Sequence, residues 1–307
     1  MNYNESIFEV NIQMKKLLIF LFLFFLLFCR SSANNPDFIE SNSIQVIFDG
    51  KKLDLTSPIL LTNDTLLFPL RNLLENFSQS SPELHWDEKN HSITLLSENN
   101  TLVLEINSKT ALFNNTPFTL STVPVLYKNQ TFIPLRIVSE FLDCRIAWDN
   151  PSKSVFIKTF SDFSEAEEIF RHSNIALKKI KSVKMDIINE ISYPQGNISF
   201  GHSVYIDKST NTIYTKNILE PNWTIYSQNE FNSNLMYENS LLPFCFSLDK
   251  NKSNENTYIF RGFYPSKQGT LSESFIFIDT LTFQLVKLST KKEHQTQSVL
   301  YQYEIKL

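Results

Sequence analysis

A phrase that occurs twice is the feature of this sequence that most restricts its fold. "TLLFPLR" spans Thr65 to Arg71, and "TFIPLR" spans Thr131 to Arg136. In both copies a glutamate follows six residues after the proline, and a Trp-Asp pair comes further on. Such a repeat indicates one structural unit present in two copies. The 307 residues leave room for one large domain or two medium ones.

Each copy has the pattern of a strand, a short helix and a hairpin. Proline suits the first helical position, where its missing N–H costs nothing, and apolar residues at helical spacing follow both prolines. The helical face in the first copy consists of Leu70, Leu73, Leu74 and Phe77. Each Trp-Asp pair then ends a strand and enters a polar turn. Neither copy can cover its apolar face alone, so we predict a shared core.

The repeat also supplies the candidate site residues, which are Pro69, Arg71, Trp86, Asp87, Pro134, Arg136, Trp148 and Asp149. The two arginines could form a basic pair for an anionic ligand such as a wall polymer. Alternatively, each arginine could tie its helix to a carboxylate of Asp87 or Asp149, and we favour this structural role. The two tryptophans could stack on sugars, but we expect them in the core, where tryptophan after an alternating strand is common.

The order of these parts resembles a bacterial domain named after the N-terminal domain of copper amine oxidases. The resemblance spans Ile44 to Lys158 and rests on "IQVIFDGKKLDL", "TLLFPLRNLLENF", "LHWDEKNHSITLL", "TFIPLRIVSEFL" and "CRIAWDNPSKSVFIK". The glycine that usually follows the helix is absent here. The resemblance implies a non-catalytic extracytoplasmic module and implies neither copper nor oxidation.

The second half is predicted to contain one helix followed by seven or eight alternating strands. "SDFSEAEEIFRHSNIALKKIKS" has acidic residues in its first turn and lysines near its end, as helix termini favour. The strands that follow are separated by Asn, Ser, Pro and Gly, which indicates an antiparallel meander. With the phrase "IDTLTFQLVKL", residues Phe163 to Leu307 resemble half-barrels of the periplasmic lipoprotein-carrier type. That resemblance implies a curved sheet around a helix, and its relatives can hold acyl chains.

The first 33 residues are predicted to be a signal peptide. Two lysines precede an apolar run from Leu17 to Phe28, which is short for a membrane span. Small residues place the cleavage after Ala33, and Met1 or Met14 could be the start. An uncleaved, membrane-anchored form is the alternative. The prediction is therefore a secreted protein of the cell envelope.

No catalytic, cofactor or metal site is indicated. None of the five histidines forms the His-x-His pair that an amine oxidase needs, and hydrolase and phosphate-loop motifs are absent. Cys144 and Cys245 could form a disulfide in an oxidising compartment, but apolar neighbours favour two small buried hydrophobic residues. A net charge of −4 without a basic stripe argues against nucleic acid as a partner.

These observations predict an α+β protein with a signal peptide (1–33), a copper amine oxidase N-terminal-like domain (34–160) and a lipoprotein-carrier-like β-rich domain (161–307). The first domain is a duplicated helix–hairpin unit with an antiparallel sheet, and the second is an antiparallel half-barrel with one long helix. We expect a non-enzymatic scaffold that binds an envelope component, such as a cell-wall component, or a protein partner. The alternative is a carrier or sensor of a lipid or other apolar ligand, and a hydrolase without a recognisable motif is a weaker third possibility.

Overall fold

β-Strands make up most of the structure, a computed structural model that describes residues 38–62, 65–76, 82–227, 241–266 and 268–304. The predicted signal peptide, its cleavage point and Phe77 lie outside these ranges. Residues 40–307 form one compact unit, distinct from residues 1–39. In the described part of the chain, no helix is long and apolar enough to cross a membrane.

The described helices are α1 (Leu70–Leu74), α2 (Leu135–Phe141), α3 (Phe160–Lys178) and α4 (Leu242–Cys245). The strands of the N-terminal half are β1 (Ile39–Ser41), β2 (Gln45–Phe48), β3 (Lys51–Lys52), β4 (Ile59–Thr62), β5 (Thr65–Pro69), β6 (Glu83–Asp87), β7 (Ser92–Leu96), β8 (Thr101–Glu105), β9 (Thr110–Phe113), β10 (Thr116–Thr119), β11 (Val125–Tyr127), β12 (Gln130–Pro134), β13 (Cys144–Asp149) and β14 (Ser154–Thr159). The strands of the C-terminal half are β15 (Ser182–Tyr193), β16 (Gly196–Asp207), β17 (Thr212–Asn217), β18 (Thr224–Ser227), β19 (Phe246–Leu248), β20 (Thr257–Pro265), β21 (Leu271–Asp279), β22 (Leu285–Lys292) and β23 (Gln295–Tyr303).

Three sheets surround the first hydrophobic core. Their strand orders are β1-β4-β5-β12-β11, β10-β9-β8-β7-β6 and β13-β14-β2-β3. The two repeated phrases form β5 and β12, which pair antiparallel, and each runs directly into its short helix. Each helix is followed by a hairpin, β6–β7 or β13–β14. This element order matches the predicted strand, helix and hairpin, while the duplication itself stays a prediction.

Two tight turns follow from residues that tolerate positive φ. Asp49 and Gly50 have φ values of 43° and 71° between β2 and β3, and Asn114 and Asn115 have 48° and 63° between β9 and β10. Turns with positive φ at both central residues suit the right-handed twist of a two-stranded hairpin, and Asp, Asn and Gly are the residues that adopt them most readily. The Asp-Gly and Asn-Asn pairs therefore account for these two turns.

One strand of the N-terminal half is buried on both faces. Val155 and Ile157 of β14 face the first core, whereas Phe156, between them, packs into a second core formed with the C-terminal half. β14 pairs in parallel with β2, where Ile47 also faces the second core. The sheet that contains these two strands is thus shared by both cores.

The C-terminal half is a nine-stranded, antiparallel, curled sheet with the order β18-β17-β16-β15-β23-β22-β21-β20-β19. The predicted antiparallel half-barrel sheet is confirmed, but its strand order is not a single meander, because the first strand β15 pairs with the last strand β23. This pairing joins two meander arms in the middle of the sheet. The sequence pattern does not predict β19, a strand of only three residues that follows the short helix α4.

Helix α3 covers part of one face of this sheet. Ile169, Phe170 and Leu177 are buried against strand residues in the second core. The ring of Phe170 lies 4.7 Å from that of Phe260 on β20 and 6.3 Å from that of Phe246 on β19. We call the face that meets α3 the core face and the opposite face the outer face.

Replacing Phe156 by alanine tests the role of the shared sheet. Removing a fully buried phenylalanine costs about 3–5 kcal/mol, and here the cavity opens toward the second core. We therefore expect Phe156→Ala to accelerate hydrogen exchange mainly in α3, β19 and β20. The neighbouring Ile157→Ala is the control, because its side chain faces the first core and its effect is expected in β7 and β8. Equal effects of both variants on both halves would contradict the separation of the two cores.

Candidate functional site

The two repeat prolines end strands in the structure. Pro69 and Pro134 are the last residues of β5 and β12, with ψ values of 110° and 121°, and the helices begin at the next residue. Both prolines are buried. Their backbone is extended, so each proline is the residue before the helix and not its first residue. This is a shift of one position from the prediction.

The two repeat aspartates close the turns of their own hairpins. Asp87 Oδ1 accepts hydrogen bonds from the backbone N–H groups of Lys89 (2.9 Å) and Asn90 (3.1 Å). Asp149 Oδ2 accepts one from the N–H of Ser152 (2.9 Å). The bonds that Asn90 donates hold the pKa of Asp87 below its ordinary value. An aspartate at the start of a turn commonly bonds the backbone two or three residues on.

The expected ties between the repeat arginines and these aspartates are therefore wrong. Arg71 and Arg136 are exposed, and the ion pairs found within the described ranges do not include either of them. The turn N–H groups already occupy the carboxylates of Asp87 and Asp149. The alternative of a basic pair for an anionic ligand stays a prediction.

The expectation that both tryptophans are core residues is also wrong. Trp86 and Trp148 lie opposite the buried residues Ile93 and Val155, on strands that border the first core. Their side chains sit at the rim of that core, 43% and 44% exposed. Each tryptophan is the next-to-last residue of its strand, close to the hairpin turn.

A buried lysine joins the N-terminal half to the C-terminal half. Lys158 of β14 is fully buried, and its Nζ donates to the carbonyl of Phe246 (2.9 Å) and to Ser247 Oγ (2.6 Å), both on β19. It also forms an ion pair with Asp162 in the first turn of α3. Burial lowers the pKa of Lys158, and Asp162 opposes this effect. Buried charges are found where they are paired and hydrogen-bonded, as here.

Asp49 completes this cluster from the β2–β3 turn. Its Oδ1 accepts a hydrogen bond from the N–H of Thr159 (3.0 Å), at the start of α3. Burial raises the pKa of Asp49, and the nearby Asp162 carboxylate adds to the increase. We call Asp49, Lys158, Thr159, Asp162 and Ser247 the junction cluster.

The junction cluster is closed to a substrate on the side of Ser247. A Cβ on Gly50 would lie 2.7 Å from the carbonyl oxygen of Arg261 and 3.0 Å from Ser247 Oγ, so the chain passes very close there. The Ser247 hydroxyl donates to Asp162 (2.6 Å) and accepts from Lys158. These groups therefore act as a joint between two sheets. The sequence did not predict this joint. Its one local indication is Lys158, a charged residue inside the apolar stretch "SVFIKT".

The core face of the C-terminal sheet extends beyond the helix that covers it. Along β15, Val183 and Met185 belong to or pack on the second core, and the same face continues through Ile187, Ile191 and Tyr193. The register places Phe200 and Ile198 of β16 on this face, opposite Asn189 and Ile191. We call Ile187, Ile191, Tyr193, Ile198 and Phe200 the distal strip.

The distal strip is apolar and largely uncovered. Phe200 is 53% exposed, Ile198 is 56% exposed and Tyr193 is 49% exposed, while Ile187 and Ile191 are half-buried. Polar groups lie within it and beside it: Asn189 stands between Ile187 and Ile191 on the same face and accepts a hydrogen bond from Gln297 (2.9 Å), and His202 lies opposite Ile187. An exposed apolar surface that includes a few polar groups is typical of binding sites.

Cys144 and Cys245 are buried free thiols, as favoured from the sequence. Burial raises the pKa of Cys144 to about 12 and raises that of Cys245 as well, so both thiols stay protonated at neutral pH. Among the residues described, no group of three or more His, Cys, Asp or Glu side chains could hold a metal ion.

A comparison with known families agrees with the resemblance of the N-terminal half. Residues 47–157 match the family model of the copper amine oxidase N-terminal domain. Three similar solved structures are lipoprotein LppX from Mycobacterium tuberculosis (11% identity, 47% of this chain and 97% of that chain, TM-score 0.30), LprF from Mycobacterium bovis (13%, 47% and 95%, 0.27) and the LolA superfamily protein NE2245 from Nitrosomonas europaea (8%, 46% and 94%, 0.22). A comparison with curated proteins finds no match.

The pH dependence of stability tests the junction cluster through Asp49→Asn. Because the folded pKa of Asp49 is raised above 3.8, ionising it costs more in the folded chain than in the unfolded one. That cost is present above the raised pKa and disappears below pH 3.8. We expect Asp49→Asn to be more stable than the parent at pH 7, with the gain shrinking as the pH falls toward 3.8. Asparagine tolerates the same positive φ and can still accept the Thr159 bond.

Urea unfolding at several pH values measures these stabilities. Asp87→Asn is the control, for which the pH dependence has the opposite sign. The pKa of Asp87 is lowered, so its carboxylate contributes stability above the ordinary pKa that is lost as the pH falls. This variant should be less stable than the parent at pH 7 and approach it in acid. The same sign for both variants would contradict the geometry described for the two carboxylates.

Proposed function

We propose that this chain is a non-catalytic, extracytoplasmic binding protein of the cell envelope whose C-terminal sheet carries an apolar ligand such as a long acyl chain. The observation that carries the proposal is the distal strip, an apolar surface that continues the core face beyond helix α3. Binding such a ligand removes this surface from water, which is favourable by roughly 25 cal/mol per Å².

The core face has one part that α3 covers and one part that is exposed. This difference supports a carrier over a purely structural half-barrel. Where α3 lies, Phe170 packs on Phe260 and Phe246, and that part of the face is filled. In the distal part, Ile198 and Phe200 are more than half exposed. A ligand there would lie next to the packed core and would not have to displace the helix.

The dimensions and the edges of the distal strip suit an amphiphile. Six residue steps along β15 from Ile187 to Tyr193 span about 20 Å, on the order of the length of a long fatty-acyl chain. Through the register, Gln295 lies beside Ile191, and Lys292 lies beside Gln295. Lys292 is exposed and could pair with an acidic head group at this end.

The N-terminal half is proposed to be the scaffold that holds the carrier at the envelope. The half-exposed Trp86 and Trp148 support contact with an envelope component, since tryptophan combines a large apolar surface with a polar N–H. The junction cluster supports a fixed connection between the two halves. We further propose that the two helix–hairpin units arose by duplication and that the mature protein begins after Ala33.

Palmitate binding to the full chain tests the carrier proposal. The variant Ile198→Gln/Phe200→Gln removes two exposed apolar side chains of the distal strip, and each loses apolar contact worth about 0.5–1 kcal/mol. Together these losses weaken palmitate binding about tenfold, since 1.4 kcal/mol corresponds to a factor of ten. Isothermal titration calorimetry measures the affinity, and native mass spectrometry before and after organic extraction detects ligand that co-purifies.

Ile225→Gln is the matched control. Ile225 is 58% exposed, close to the 56% of Ile198, but it pairs with Tyr214 on the outer face of the sheet. It should leave palmitate binding unchanged. A parent chain that neither binds palmitate nor carries extractable lipid would exclude the carrier and favour the scaffold alone.

A further inference from the structure

The hairpin strand β6 leaves one edge of its sheet open. It is the last strand in the order β10-β9-β8-β7-β6, and no strand within the described ranges pairs with its outer edge. All five of its residues are exposed. Alternate residues of an edge strand direct their N–H and C=O groups outward, and another extended chain can pair with them.

The equivalent strand of the second repeat shows how such a hairpin is covered elsewhere in the same molecule. Ala147 of β13, which corresponds to His85, packs against the second core. The guanidinium of Arg145, which corresponds to Glu83, lies 4.8 Å above the ring of Phe160 in α3. The C-terminal half thus covers the face of β13 that carries Arg145 and Ala147, whereas the corresponding face of β6 is exposed.

The edge strand β6 carries two carboxylates and lacks the other devices that protect an open edge. Open edges commonly carry proline, a bulge or an inward-pointing lysine, and none of these occurs in "ELHWD". Instead, Leu84 and Trp86 present apolar side chains on one face, 41% and 43% exposed. This combination points to a strand that receives a partner.

The charges of β6 and its turn favour a basic partner. Glu83 and Asp87 lie on the face opposite Trp86. Glu88 follows in the turn, where the neighbouring Lys89 carries the opposite charge. Asp87 stays ionised because turn hydrogen bonds lower its pKa. Hydrogen bonding to the turn leaves its negative charge in place. One face of the strand thus presents two carboxylates with His85 between them, its Nε2 3.4 Å from Glu83, and the other face is apolar.

Pairing with a second copy of β6 is disfavoured by the same charges. In an antiparallel pair centred on His85, each Glu83 would lie opposite the Asp87 of the other copy. Like charges directly opposite each other destabilise a strand pair. The open edge is therefore better suited to a different chain than to dimerisation.

We propose that the outer edge of β6 binds an extended peptide segment in which basic and apolar residues alternate. The peptide adds a sixth strand to this sheet, with main-chain hydrogen bonds to β6. Its basic side chains lie next to Glu83 and Glu88, and its apolar side chains lie on Leu84 and Trp86. This site is separate from the distal strip, so the two proposals can fail independently.

Titration of the full chain with two capped peptides tests this inference. One alternates lysine and valine, and the other alternates glutamate and valine. Fluorescence anisotropy of the labelled peptide measures affinity, and hydrogen exchange locates the site. We expect the lysine peptide to bind at least about tenfold more tightly at low salt, since complementary charge patterns favour the matching partner. Exchange should slow in residues 83–87 and stay unchanged in 145–149.

Variants separate the contribution of charge from that of apolar contact. Glu83→Lys/Glu88→Lys should weaken binding of the lysine peptide about tenfold, and Trp86→Ala should weaken it about fivefold, while both leave palmitate binding unchanged. Trp148→Ala is the matched control for the equivalent tryptophan and should have no effect. Binding of neither peptide, equal binding of both, protection at 145–149, or dimerisation of the chain through β6 would overturn the inference.

Discussion

Burial of strand β14 on both faces is the constraint on which the rest of the structure depends. Val155 and Ile157 complete the first core, and Phe156 between them contributes to the second. A strand whose neighbouring side chains serve two cores cannot shift its register by one residue without exchanging the two sets. The parallel pairing of β14 with β2 fixes this arrangement and holds the Asp49–Gly50 turn against the edge of the C-terminal sheet.

The junction cluster follows from this shared position. Lys158 comes two residues after Phe156, on the same face of β14, and therefore has to enter the second core with it. Its charge is tolerated there because Asp162, Ser247 and the Phe246 carbonyl satisfy the ammonium group. Removing one partner of such a buried pair costs about 3–5 kcal/mol. The same contacts fix α3 and β19 to the N-terminal half.

The two repeats differ in whether the C-terminal half covers their hairpin, and this difference determines which hairpin is available to a partner. In the second copy, the C-terminal half covers the hairpin face that carries Phe156 and Ala147. In the first copy, the corresponding positions hold Thr94 and His85, which suit contact with water. Both hairpins end their sheets, but one copy became the joint between the halves, and the corresponding face of the other copy is exposed. The distal strip lies away from the joint, where α3 no longer covers the sheet.

The sequence by itself determined the elements whose signals are local. The prolines of the repeated phrases end their strands, the Asp-Gly and Asn-Asn pairs form turns with positive φ, and the Trp-Asp pairs lead into hairpins. Tertiary structure alone decided the pairing of β15 with β23, the exposure of both tryptophans and the meeting of Lys158 with Ser247, 89 residues apart. These features depend on which distant surfaces come together. A local pattern such as "SVFIKT" shows that a strand is buried on two faces, but it does not show which residues bury it.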